Sequence, residues 1–231
     1  EGVTVTAASD LVIAGDVDST DDDGADIVIE GILKAQAGSI TLRGGVDDDT
    51  ITTSEGSLVN ARDITILGQG GGDKVILDGP TTATDTLKID GGAGASEIEI
   101  NEVASGASAV VIQTGSEADT IKTTAKVSGG KLDILTGEGA DAVTLEANVV
   151  ITGDITIDAG SVDASKTDSA KDSGNDNITI STALNSTNTT VVLGNGKNSL
   201  TVDGAIAADQ SVKIESGSGN DTVTVNGTVS G

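Results

Sequence analysis

The sequence predicts an all-β fold, a parallel β-helix or β-roll-like solenoid of about nine coils of ~23 residues each. Three observations predict it. A Gly-rich turn closed by an acid or its stand-in recurs at a nearly fixed interval, apolar residues alternate on both sides of each turn, and no Phe, Tyr or Trp occurs in 231 residues.

The turns come first because their period decides the architecture. The closing residues are Asp26, Asp49, Asp73, Ser96, Asp119, Asp141, Asp176, Asn198 and Asp221, separated by 23, 24, 23, 23, 22, 35, 22 and 23 residues. The single outlier is 12 residues beyond the norm, so one winding accounts for nearly the whole chain. The reading is therefore one domain over residues 1–231, with an acidic insertion at 15–24 and a second at 158–175 that carries Asp163, Asp168 and Asp172.

Each unit then supplies two strands. An alternating strand precedes the turn, as in Ile40/Leu42, Ile64/Ile66, Leu87/Ile89 and Val110/Ile112, and a second follows it, with Ile51, Val75, Ile98, Ile121, Val143, Ile178, Leu200 and Val223 at one phase. A period of two with β-branched residues specifies strand, and matched phase points matched side chains the same way. The rest of each unit is small and turn-rich, enough for a third short strand or a bend. A coil of this kind cannot bury its apolar face alone, so coil lies on coil, and nine coils at ~4.8 Å make a rod roughly 43 Å long. A narrow interior of stacked aliphatics has no room for rings.

Composition narrows the function. With 37 Asp+Glu against 12 Lys+Arg the net charge is −25, which disfavours nucleic acid and anionic membrane as partners. The absence of His, Cys and Met removes the His general base, the thiolate nucleophile, the Cys/His zinc site and the disulfide. No apolar run approaches the ~18 residues of a membrane span. Carbohydrate-cleaving enzymes are often parallel β-helices, but here there is no ring to stack on a sugar, only Arg43 and Arg62 as arginines, and carboxylates everywhere, so the chain is read as no enzyme. A regular outward Thr array would suit ice, and Thr50/Thr52, Thr144, Thr179, Thr201 and Thr222/Thr224 begin one, but Lys74, Glu97, Glu99 and Lys122 interrupt it. Five N-x-S/T sequons, at Asn177, Asn185, Asn188, Asn220 and Asn226, leave glycosylation open.

The turn carries the chemistry. Gly stands two residues before the closing position in seven of the nine units, among them Gly71, Gly94, Gly139 and Gly219, where a tight turn asks for positive φ or close backbone approach. Carbonyls exposed by such a turn, with an Asp carboxylate at its end, are the hard oxygens that Ca²⁺ prefers. Two readings stand side by side: Asp as plain turn chemistry bonding local backbone, or Asp as a calcium ligand. A column of like charges one coil apart repels itself, and a divalent ion between coils converts that repulsion into attraction.

Gly217, Gly219, Asp221 and Val223, like Gly137, Gly139, Asp141 and Val143, resemble the repeat of the hemolysin-type calcium-binding (RTX) family, G-G-x-G-x-D-x-U-x with U a large aliphatic. The resemblance covers the turns, about a third of the chain. It implies a β-roll, secretion or display at a bacterial surface, and Asp49, Asp73, Asp119, Asp141, Asp176 and Asp221 as calcium ligands. The chain departs from the family in carrying one motif per ~23 residues instead of one per nine.

A second acidic feature runs from Ser19 to Glu30. It fits several EF-hand loop positions through Asp21, Asp23 and Gly24, but leads from strand to strand, so the choice lies between a looser calcium loop using Asp16, Asp18, Asp21 and Asp23 and a solvated acidic bulge; Asp26 is a further candidate metal ligand. The functional expectation is an extracellular structural element, a surface-layer, filament or adhesin stalk segment stiffened by Ca²⁺. The alternative is a calcium-dependent adhesin module that binds cell-surface glycans or a receptor. Uncapped strands at residues 2–6 and 222–226 predict end-to-end self-association or a longer repeat array.

Overall fold

The computed structural model describes residues 3–16, 24–160 and 174–231. The insertion acids Asp18, Asp21, Asp23, Asp163, Asp168 and Asp172 lie outside these residues. Within them the chain is a parallel β-solenoid, and every inter-strand pairing is parallel and joins one coil to the next.

Three strands make each coil and define three faces. In the fifth coil they are Ala104–Gly106, Ala109–Gln113 and Thr120–Thr123. The third face is a separate nine-stranded sheet, from Asp26–Ile29 through Thr50–Thr53, Lys74–Leu77, Glu97–Ile100, Thr120–Thr123, Ala142–Leu145, Asn177–Ile180 and Ser199–Val202 to Thr222–Val225. Nine strands make eight steps, so the winding completes about eight turns along its axis. The first two faces form one 17-stranded sheet, because the long strands Leu184–Val192 and Ile206–Glu215 run round the corner between them.

The register places like on like. Ile98 pairs with Val75 on one side and Ile121 on the other, and the same column extends from Ile27 to Val223. On the second face Ile40, Ile64, Leu87, Val110, Leu132 and Ile155 stack in the same way, each at most 1% exposed. Each such side chain stabilises the fold by about 1.5–3 kcal/mol. The stretch after the second of the two expected strands does form a third, short strand, such as Thr81–Ala83 or Val127–Gly129. Its inward positions mix small residues such as Ala61, Ala83 and Ala104 with larger ones such as Leu33, Val59 and Ile206.

The outer surface of the third face divides along the rod. Lys74 reaches Glu97 at 2.7 Å and Glu99 at 3.9 Å, and Lys122 reaches Glu146 at 3.2 Å. Beyond them Thr144, Thr179, Thr201 and Thr224 stand in register without charge.

Candidate functional site

The turn between the second and third faces stacks in every coil, and its closing residue points inward. Asp49, Asp73, Asp119, Asp141 and Asp176 are each 1–2% exposed, Ser96 is 3% and Asn198 1% exposed. Parity explains this: Asp49 lies two residues before Ile51 on the same strand path, so the two side chains face the same way. Expected acidic corners are thus a buried column. Only Asp221, in the last coil, is half-buried.

The column is built from hydrogen bonds between coils. Oδ1 of Asp49 accepts from the Ala25 N–H at 2.6 Å, and Oδ1 of Asp73 accepts from the Asp49 N–H at 2.8 Å. Asp119 accepts from Ser96 N–H (2.7 Å), Asp141 from Asp119 N–H (2.8 Å) and Asp176 from Asp141 N–H (2.9 Å). Asn198 and Asp221 continue it, accepting from Asp176 N–H at 2.9 Å and Asn198 N–H at 3.0 Å. Each side chain thus supplies an acceptor oxygen that the backbone ladder lacks at the corner. Spacings of 24, 24, 23, 22, 35, 22 and 23 residues between donor and acceptor match the repeat intervals, insertion included.

Asp26 is not part of it. The column begins at Ala25, and Asp26 opens the next strand paired with Thr50, its side chain exposed. A one-residue slip in a period of two exchanges the faces: Ile27 and Ile29 are each 6% exposed and Val28 is 53%. The first repeat interval is therefore 24 residues, not 23.

The second atom of each side chain decides the chemistry. Asn198 donates from Nδ2 to the Gly194 carbonyl at 3.2 Å, and Ser96 directs its hydroxyl to the carbonyls of Gly91 and Gly94, both at 3.1 Å. The turn backbone therefore presents carbonyl oxygens to this position. Where the residue is Asp, an acceptor meets acceptors. Oδ2 of Asp49 and Oδ2 of Asp73 are buried with no hydrogen-bond partner. Each lies in a cradle that only Gly leaves open: a Cβ on Gly44 would stand 2.3 Å from Asp49 Oδ2, and one on Gly68 2.1 Å from Asp73 Oδ2. Asp119 differs, because its Oδ2 accepts from the Gly115 N–H at 3.2 Å.

Electrostatics records the same strain. Burial pushes the Asp73 carboxyl up to about 7; the hydrogen bond from the Asp49 backbone pulls the other way, and the charges of Asp49 and Asp48 push it further up. Burial also raises Asp119, opposed by hydrogen bonds from Ser96, Thr114 and Gly115. A buried oxygen without a donor calls for a proton or a cation. Among the described residues no three acidic side chains converge on one point. An ion here would rest on two carboxylates and backbone carbonyls, a donor set that suits Ca²⁺ and not a softer metal.

Glycine at the fifth position before the acid was not singled out in the sequence, though Gly44, Gly68 and Gly91 are legible there once the inward phase of Asp49 is known. Comparison with protein families, with curated proteins and with solved structures finds no match. No helix among the described residues is long and apolar enough to cross a membrane.

Proposed function

We propose that the chain is a segment of an extracellular structural rod, of the surface-layer, filament or adhesin-stalk kind, whose Gly/Asp turns take up Ca²⁺. The observation that carries this reading is the pair of buried, partnerless carboxylate oxygens on Asp49 and Asp73 in stacked turns. A rod of parallel strands resists bending because each coil is hydrogen-bonded to the next over its whole circumference. Calcium, where bound, neutralises the buried carboxylates and couples the fold to an ion-rich exterior. This chain's own residues do the rest: Gly44 and Gly68 leave the space, the Oδ1 atoms fix the carboxylates through the neighbouring backbone, and the aliphatic columns exclude water.

End-to-end self-association through open sheet edges is the partner that this reading proposes. Analytical ultracentrifugation reads this part directly: concentration-dependent oligomers support it, and a monomer at all concentrations opposes end-to-end assembly of this chain.

Melting with and without a chelator tests the calcium part. Because the protein has no aromatic residue, circular dichroism or calorimetry is the readout. A site held a hundredfold above its Kd contributes about 2.7 kcal/mol, so chelation should lower Tm by roughly 5–10 °C per site. An unchanged Tm overturns the calcium reading.

A further inference from the structure

We propose that the outer side of the third face is a lateral interface, on which a second copy of this chain lies face to face with its rod running the opposite way. The interface is independent of calcium uptake and of end-to-end stacking. The bareness of the sheet, the placement of its charges and the symmetry of that placement carry the inference.

Among the described residues nothing buries the outer side of this sheet: every outward side chain of its nine strands is half-buried or exposed. Two sheets pack ~10 Å apart when small and β-branched side chains fill the gap, and outward Thr52, Ile76, Thr144 and Thr179 are of that kind. The outward charges are three acids, Asp26, Glu97 and Glu99, against Lys74 and Lys122, so the face is close to neutral on a chain of −25. Repulsion between two such rods is therefore weak along this side.

At the second outward position of the nine strands only Glu99 and Lys122 are charged, and they stand in register on the adjacent fourth and fifth strands, at the centre of the sheet. Within the chain they do not pair with one another: Lys122 reaches the exposed Glu146 at 3.2 Å, and Glu99 stands 3.9 Å from Lys74. A twofold axis along the strand direction, passing between these two strands, sets Glu99 against Lys122 of the second copy and Lys122 against its Glu99. The same axis sets Ile76 against Thr144 and Thr52 against Thr179. At the first outward position Asp26, Lys74 and Glu97 meet Ser199, Ala142 and Thr120, so no like charges are opposed. Parallel copies fail on this count, because each strand then faces its own reversed image and Glu97 meets Glu99. The sheet measures roughly 40 Å by 13 Å at ~4.8 Å per strand and ~3.3 Å per residue, so facing copies bury on the order of 1,000 Å², the lower end for a specific interface. A dimer of micromolar strength is the expectation.

Sedimentation equilibrium on the full chain tests the interface in wild type, Glu99→Lys and Lys122→Glu, with interference optics because the chain has no aromatic residue and circular dichroism to check that each variant is folded. Wild type should dimerise. Either reversal alone opposes like charges twice in the twofold dimer and should weaken dimerisation at least about tenfold. An equimolar mixture of the two variants should dimerise again, because each reversed charge then faces its complement, a rescue that a change within either fold cannot produce. Association through the rod ends leaves both side chains uncovered, so single variants that associate as strongly as wild type overturn the lateral interface while the end-to-end reading stands. A wild type that stays monomeric up to about 500 μM overturns it too, as does a mixture no more dimeric than its components. Should either reversal fail to fold, Thr52→Lys and Thr179→Glu, which oppose each other across the same axis, carry the mixing test.

Discussion

Asp73 and Asn198 hold the same place in the third and eighth coils. Both are at most 2% exposed, and both accept a backbone N–H from the preceding coil through Oδ1, at 2.8 and 2.9 Å. They differ in one atom. The Asn nitrogen reaches a turn carbonyl at 3.2 Å, whereas the corresponding Asp oxygen has no donor. Because the surrounding backbone repeats, the comparison isolates what a carboxylate contributes to a buried corner. As a structural acceptor it equals the amide, and as a second polar atom it is a liability that a proton or a cation must remove.

The largest test of this difference is pH. With calcium chelated, the Asp73 carboxyl titrates at about 7 in the fold and at an ordinary carboxylate value of 3.8 when unfolded. A raised folded value means that the native state binds the proton more tightly. The contribution is complete below about pH 4 and is lost as pH rises through about 7, on the order of 4 kcal/mol in all. Chelated wild type should therefore melt higher at pH 5 than at pH 8. Asp73→Asn should flatten that dependence, and equal pH profiles for the two proteins would contradict it.

The backbone both residues share can be broken next. Gly71 has φ +83°, and a Cβ there would stand 2.3 Å from the Asp47 carbonyl carbon, so Gly71→Ala should destabilise by about 3 kcal/mol or more. Gly56 has nearly the same φ, +81°, with nothing within 4 Å. Its alanine variant should cost about 1 kcal/mol, and chemical denaturation of the two separates the stacking requirement from the dihedral one.

Reversing the natural replacement is the third test. Asn198→Asp removes the donor to the Gly194 carbonyl and should cost about 1–3 kcal/mol in chelator, read from urea midpoints. The smallest effect belongs to a half-buried corner outside the column. There Asn101 donates to Asp78 at 2.9 Å and accepts from the Thr124 hydroxyl at 2.8 Å. Water can replace both bonds at this half-buried position, so Asn101→Ala should cost less than about 1 kcal/mol, and a cost matching that of Asn198→Asp would remove the distinction between the buried column and this corner.

The winding was legible in the sequence because its signal is redundant: the phase of Ile51, Val75, Ile98 and Ile121 recurs in coil after coil, and one misread unit leaves the others intact. The inward aim of the acids is legible too, since Asp49 lies two residues before Ile51 on one strand path and shares its parity. The first coil misled for a local reason. Residues 27–29 are all aliphatic, so nothing in that strand alone fixes which face is inward, and Asp26 was aligned where Ala25 belongs. The hydrogen bonds of Ser96 and Asn198 to turn carbonyls depend on side-chain distances within a tenths-of-ångström range, which spacing in a sequence does not encode.

Crystals grown in calcium, with anomalous diffraction collected at long wavelength, show whether the buried column holds the ion. An anomalous peak is expected against the unpartnered Oδ2 atoms of Asp49 and Asp73. A column without any anomalous peak would contradict the calcium reading.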